Sequence, residues 1–289
     1  MRSIHQDVHR RGGVAATHEL LRDGHTSYRL TAAVRRGEVI RARQGHYVCP
    51  HLSPPEIEAV RVGGRLGGSS GARHYGIWAP PERRLIVLVR PDARALRTRL
   101  DPRARLSDAA DPRVRVEWAD RGTPGTRTVA SVAACIRMMA LRESALVAFA
   151  SAESALFTGH LSRAQLRRVV ASLPRSRHGL LHAAGPRSES GGESLLAYLL
   201  LRAGIDFRQQ VGVAGAGRVD LVVGERLVVE VDGAEFHTDV ASFEEDRRRD
   251  AALSTLGFRV LRFSYRQVER RPGEVMGALR AAMARGDHV

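Results

Sequence analysis

The chain contains no lysine: all 46 of its basic residues are arginine. Arginine stays protonated near neutral pH, so none of these residues can act as a general base. Only two cysteines are present, Cys49 and Cys135, and they lie far apart. They predict neither a disulfide framework nor a zinc site. The N-terminal MRSIHQDVHRRGG has no apolar leader, and the longest apolar run, TVASVAACIRMMAL, is interrupted by Arg137 and too short to span a bilayer. The glycine-rich GGRLGGSSGA lacks the Gly-Lys-Ser ending of a phosphate-binding P-loop and reads as a plain loop. No internal repeat is apparent. These absences argue against secreted disulfide scaffolds, membrane-spanning proteins and P-loop enzymes, and predict a soluble, cytoplasmic protein without a membrane partner.

At 289 residues and 43% hydrophobic, the chain can bury two or three domain cores. Its net charge of +15 is uneven: residues 1–187 carry 32 arginines against 15 acids, whereas residues 188–289 carry 14 against 16. A GC-rich genome would explain arginine in place of lysine, but not the excess of base over acid. The basic footprint of a polyanion partner therefore lies upstream, and DNA is the expected partner.

The most informative stretch is RVDLVVGERLVVEVDGAEFH, residues 218–237. Read with period two, Val219, Leu221 and Val223 share a core side with Leu227, Val229 and Val231, while Asp220 and Val222 share the other with Val228, Glu230 and Asp232. If Gly224, Glu225 and Arg226 form a symmetric three-residue turn, Asp220 lies opposite Glu230, with Cβ atoms roughly 4.5–5.5 Å apart. Like charges so placed repel. A divalent cation between them reverses that sign, and two carboxylates facing a hydrated hard ion is a common way to hold Mg²⁺. The bland alternative is a wet polar face with Asp232 paired to Arg218; it leaves Asp220 facing Glu230, and the following Gly233 and His237, unexplained.

An acid on one strand followed by Glu-x-Asp or Glu-x-Lys on the next resembles the core of the PD-(D/E)XK nuclease superfamily, and the version ending EVDG…H is similar to its very-short-patch-repair-like branch. The likeness runs from about Glu193 through RQQVGV, RVDLVV, LVVEVDG and FEEDRRRDAALSTLGFRVLRFSY. It implies phosphodiester cleavage with Mg²⁺ or Mn²⁺, and Asp220 and Glu230 as ligands assisted by the Val231 carbonyl. Asp232 stands where the superfamily has lysine. Asp232 and His237 are then candidates for positioning or deprotonating water and protonating the leaving oxygen, beside the reading of His237 as a structural histidine. The resemblance also puts the helical Glu193 next to the metal carboxylates. Glu193 shares a helix side with Leu196, Ala197 and Leu200, so it leans toward the core, although an acid in a first turn also complements the helix dipole. Asp246 and Asp250, with Arg247 and Arg249 close by, read as a buried structural ion network.

Upstream, a helix over residues 3–11, a second from Thr17, a third capped at Thr26 or Ser27 and stopped at Gly37, and two short strands around Gln44-Gly45 outline a winged helix-turn-helix. Gly24, Gly37 and RxRxGxYV resemble the N-terminal domain of abortive-infection AbiEi-type antitoxins. Small winged domains also serve as protein-interaction modules. In a DNA-binding domain, Ser27, Tyr28, Arg29 and Thr31 would approach base edges, while Arg35, Arg36, Arg41 and Arg43 hold phosphates. The resulting expectation is a mixed α/β (α+β) chain with three parts. Residues 1–50 form the winged domain, 51–187 a strand-and-helix middle region, and 188–289 a restriction-endonuclease-like mixed sheet flanked by helices. GPRSESGG, residues 185–192, would be the linker. A homodimer is compatible with this reading. The competing function is a DNA-binding regulator, antitoxin-like, that carries an inactive nuclease fold.

Overall fold

Caps and glycines shape the first fifty residues. Helix α1 (Ile4–Arg10) opens on Ser3, whose hydroxyl accepts the Gln6 amide while the Gln6 side chain returns to the Ser3 N–H. After α2 (Thr17–Arg22) the chain turns at Gly24 (φ +88), and α3 (Ser27–Arg35), capped by Thr26, stops before Gly37 (φ +73). Both glycines take the left-handed conformation that a side chain resists. The expected hairpin is β2 (Ile40–Arg43) and β3 (His46–Val48), and a short strand, β1 (Val14–Ala16), completes a sheet ordered β1-β3-β2. Three residues are too few for β1 to register as an alternating pattern. Ile4, Val8, Leu20, Leu30 and Val39 close the core beneath.

This computed structural model describes residues 2–81, 84–106, 111–232 and 240–289. The chain divides into two compact units, Met1–Met139 and Ala140–Val289. In the first, α4 (Pro54–Val62), β4 (Arg65–Leu66), α5 (Gly68–His74), β5 (Leu85–Val89) and β6 (Val114–Trp118) follow, with β5 and β6 parallel and β4 antiparallel to β5. The glycine-rich run expected to be a loop instead holds β4 and much of α5. Its glycines permit close approach: a Cβ on Gly64 would lie 2.4 Å from the Leu88 carbonyl, and one on Gly71 2.5 Å from the Cys135 sulfur.

The unit boundary falls within α6 (Val132–Arg142). The second unit continues with α7 (Ala145–Phe157), α8 (Arg163–Ala171), α9 (Gly191–Ala203), β7 (Phe207–Val213), β8 (Gly217–Val223), β9 (Leu227–Asp232), α10 (Val240–Thr255), β10 (Arg259–Ser264), α11 (Tyr265–Arg270) and α12 (Pro272–Ala284). Its sheet runs β10-β9-β8-β7, antiparallel except that β9 and β10 are parallel across the α10 crossover. This is the expected mixed sheet flanked by helices.

One expectation changes, and the bland alternative for the hairpin falls with it. Residues 185–192 are no free linker. Buried Glu153 of α7 accepts the Gly185 amide at 2.9 Å and the Ser188 hydroxyl at 2.7 Å, while Phe149 and Tyr198 join α7 to α9 with ring centres 5.4 Å apart. Burial pushes the Glu153 carboxyl up, against these hydrogen bonds. Nor is the Asp220 side of the hairpin a wet face. Val222 and Val228 are fully buried in one cluster with Leu253 of α10, so both faces of the ribbon carry core.

Candidate active site

The β8–β9 hairpin pairs as its alternation requires: Leu221 faces Val229, Val222 faces Val228 and Val223 faces Leu227 across the turn at Gly224. The paired stretch ends at Leu221 and Val229, and just beyond it the Val231 amide donates to the Asp220 carboxylate at 2.9 Å, which keeps Asp220 beside Glu230. On the outer side of β8, Gln209 pairs with Leu221 and Val211 with Val219, so Gln210 stands across from Asp220. On the other side of β9, Arg262 is the parallel partner of Glu230. A single row therefore crosses the four strands: Gln210, Asp220, Glu230, Arg262.

Glu193 reaches this row from α9. The Ser190 hydroxyl accepts the Glu193 amide at 3.2 Å, starting the helix there and leaving Glu193 only 6% exposed. Its Oε2 accepts the Gln210 side-chain amide at 2.7 Å and the Glu189 backbone amide at 2.9 Å. Gln210 was not foreseen from the sequence. It is one of two non-glycine residues with positive φ among those described, at +53°. A β-strand glutamine held in the left-handed region marks a position fixed by its surroundings, and such strain gathers at functional sites.

The electrostatics are those of crowded acids. Burial, with Glu193 and Glu230 adding to it, pushes the Asp220 carboxyl up to about 6 against the opposing Val231 amide, 2.9 Å from Oδ2, and Arg249. Glu230 is buried with both oxygens engaged: Arg249 donates to Oε1 at 2.5 Å and Arg262 to Oε2 at 2.9 Å. Arg262 also pairs with Asp250, and that hydrogen bond is the main cause of its raised guanidinium pKa. An ion network does include Asp250, but its partner is Arg262 of β10, it is partly exposed, and Arg249, expected beside Asp250, pairs with Glu230 instead; the Asp246 side chain lies outside the described residues. Arg218 pairs with Glu189 at 2.7 Å, which replaces the Asp232 partnership of the bland reading. Asp232 is half-buried beside Ser264 at the end of β9. His237 and Gly233 lie outside the described residues.

Asp220 Oδ1 and Glu193 Oε1 accept no hydrogen bond among the described residues, so two hard oxygen donors remain for a cation, in a cluster whose mutual repulsion a cation would relieve. Glu230 could join only if Arg249 or Arg262 gave up an oxygen. Here no three ligand atoms of described residues lie mutually within 4.8 Å. The donor chemistry fits Mg²⁺ or Mn²⁺ at Asp220 and Glu193, with Glu230 in reserve.

In the first unit, α3 presents Ser27, Tyr28, Thr31 and Arg35 to solvent, Tyr28 at 83% exposure, with Arg29 half-buried. Arg41 is exposed on β2. Arg36 pairs with Glu38 at 2.7 Å. Arg43 is turned to the backbone, donating to the Val62 and Ala95 carbonyls at 3.1 and 2.9 Å, which ties it to the fold. Among the described residues, no helix is long and apolar enough to cross a membrane.

Residues 193–283 match the REase_MTES_1575 family, a restriction endonuclease-like domain, over a stretch that contains Glu193, Gln210, Asp220, Glu230 and Arg262. The second unit thus carries a nuclease-type fold. The chain is also similar to a solved structure, the catalytic domain of the homing endonuclease I-Bth0305I. That match is 19% identical, covers 32% of this chain and 94% of the other, and has a TM-score of 0.28. No curated protein matches.

Proposed function

We propose that the second unit is a metal-dependent endodeoxyribonuclease and that the first unit binds DNA through an AbiEi-like winged helix-turn-helix. The observation that carries the nuclease reading is the row Gln210, Asp220, Glu230, Arg262 joined by Glu193, within the segment that matches a restriction endonuclease-like family. In this reading the chemistry is very-short-patch-repair-like, with Glu193, Asp220, Glu230, Asp232 and His237 as the working residues. A bound Mg²⁺ or Mn²⁺ would lower the pKa of a water and offset charge on the scissile phosphate. Asp220 and Glu193 would hold it, with Glu230. Gln210 fixes the Glu193 carboxylate, and Arg249 and Arg262 keep positive charge beside the row. With no lysine in the chain, a proton leaving water goes to a carboxylate or to His237.

For the first unit, the basic surplus upstream and the exposure of Ser27, Tyr28, Thr31, Arg35 and Arg41 support contact with bases by α3 and with phosphates by the arginines, in a cytoplasmic setting and with a homodimer compatible. Each phosphate-neutralising arginine should add about 0.9 to the fall of log K with log salt on duplex DNA.

One observation favours the second reading, a DNA-binding regulator with an inactive nuclease fold: both Glu230 oxygens are held by arginines. Supercoiled plasmid incubated with Mg²⁺ or Mn²⁺ separates the two. Nicking that Asp220→Ala and Glu230→Ala each abolish supports the enzyme. Salt-dependent binding without nicking in either metal refutes it and leaves the regulator.

A further inference from the structure

Away from the carboxylate row, three nitrogen and sulfur donors gather at one point of the first unit, with a third imidazole, His9, beside them. His5 and His9 are one turn apart on the same side of α1, Cys49 directly follows β3, and His51 lies two residues further. His5, Cys49 and His51 offer ligand atoms mutually within 4.8 Å. The His9 ring centre is 5.2 Å from that of His51 and 6.1 Å from that of His5, and the His5 and His51 centres are 6.1 Å apart. Two imidazoles on one tetrahedral ion, with Zn–N near 2.0–2.1 Å, have ring centres roughly 5 Å apart. The three rings therefore already stand within about 1 Å of the spacing that a shared ion imposes.

Packing alone does not account for this arrangement. A buried cysteine is ordinarily a small apolar side chain, and Cys49 does lie in the core with Ile4, Val8 and Leu20. Apolar packing, however, has no reason to bring three imidazoles around a thiol. A structural histidine in this unit looks different: His25 is buried and bound to Asp7 at 2.8 Å. Among the described residues, His5, His9 and His51 make no side-chain hydrogen bond, and their ring contacts are with one another. Glu38 lies close enough to His5 for the two charges to interact, and a carboxylate is a common outer partner of a ligating imidazole.

We propose that His5, His9, Cys49 and His51 bind one Zn²⁺ ion that clips α1 to the end of β3. One sulfur and three imidazole nitrogens, with no carboxylate, suit zinc and not Mg²⁺ or Ca²⁺. Four protein ligands leave no open position, so the ion holds structure and performs no chemistry. Zinc takes cysteine as the thiolate, so binding releases a proton and affinity falls as pH falls. The proposal is independent of the nuclease reading, because the acidic row contains no sulfur.

The test uses the full-length, reduced protein stripped with a chelator and titrated with Co²⁺. Thiolate-to-cobalt charge-transfer absorption should rise to one equivalent and bleach on addition of Zn²⁺; a carboxylate site cannot produce it. His51→Ala and His9→Ala, at exposed positions, should weaken Zn²⁺ binding by about 100-fold and about 10-fold in a competing-chelator assay. His18→Ala, in the same unit, should leave it unchanged. Cys49 is buried, so Cys49→Ser is read only beside the two histidine variants. Absence of the charge-transfer band at excess Co²⁺, or wild-type Zn²⁺ affinity in His51→Ala, overturns the proposal.

Discussion

Replacing Asp220 with asparagine should strengthen the second unit while ending its chemistry. The folded protein holds the Asp220 proton more tightly than the unfolded chain does, since burial and the neighbouring acids raise the carboxyl from 3.8 to about 6. Stability therefore falls as pH rises between those two values. The penalty is absent below the lower one and complete above the upper one. At about 1.4 kcal/mol per unit the limit is about 3 kcal/mol, and solvent access brings the expectation nearer to about 2 kcal/mol. Asparagine carries no such charge, and its amide oxygen can still accept the Val231 N–H that now lies 2.9 Å from Oδ2. Native-state hydrogen exchange of the β8 and β9 amides in urea reads this sheet alone. At pH 8 the variant should be more stable by about 2 kcal/mol, at pH 4 most of that gap should be gone, and millimolar Mg²⁺ should narrow the gap at pH 8 by stabilising only the wild type. A variant no more stable than wild type at pH 8, or a gap unchanged at pH 4, would refute the crowded-acid account.

Other consequences are as direct. Arg262→Met removes one of two cations from buried Glu230 and the partner of Asp250, and should cost the second unit about 2 kcal/mol in the same exchange experiment. Arg249→Ala frees Glu230 Oε1 and should lower the metal concentration for half-maximal plasmid nicking; an unchanged or higher requirement would show that Glu230 is no ligand. Gln210→Gly relieves the left-handed backbone but drops the hydrogen bond to Glu193, so unfolding free energy should stay within about 1 kcal/mol while nicking slows at least tenfold. Glu19, pulled down to about 2 chiefly by its hydrogen bond with Arg127, stabilises the first unit fully above pH 4.5 and loses that contribution as pH falls toward 2. With Arg127 44% exposed, Glu19→Gln should cost only about 1 kcal/mol at pH 7 and nothing near pH 2 by urea unfolding.

Where one residue type had a local reason for its place, the sequence was legible. Thr26, Gly24 and Gly37 bound their helices by capping and left-handed backbone, and the alternation from Val219 to Val231 with a three-residue turn was enough to set the pairing of Leu221, Val222 and Val223 with Val229, Val228 and Leu227. What escaped depended on distant partners. Gln210 reaches the row only through the register of a third strand, and Arg249 and Arg262 arrive from α10 and β10 to occupy Glu230. Period two marked which residues share the Asp220 side but could not show that α10 covers it, so Val222 and Val228 looked wetter than they are. Counting cysteines spoke against zinc because three of the four donors now proposed are histidines, two of them some forty residues upstream on α1. The glycine run at residues 63–72 misled because its glycines serve close packing rather than flexibility.

The clasp that Glu153 forms on Gly185 and Ser188 bears on where the nuclease-like module begins. The family match starts at Glu193, but a polypeptide cut there would lose α7, strip Tyr198 of its aromatic neighbour and release the turn that leads into Glu193 itself. Trimmed to the recognised stretch, the protein should aggregate or fray at Glu193. The heritable piece is wider than its signature, and grafts into other proteins should carry the preceding helices with it.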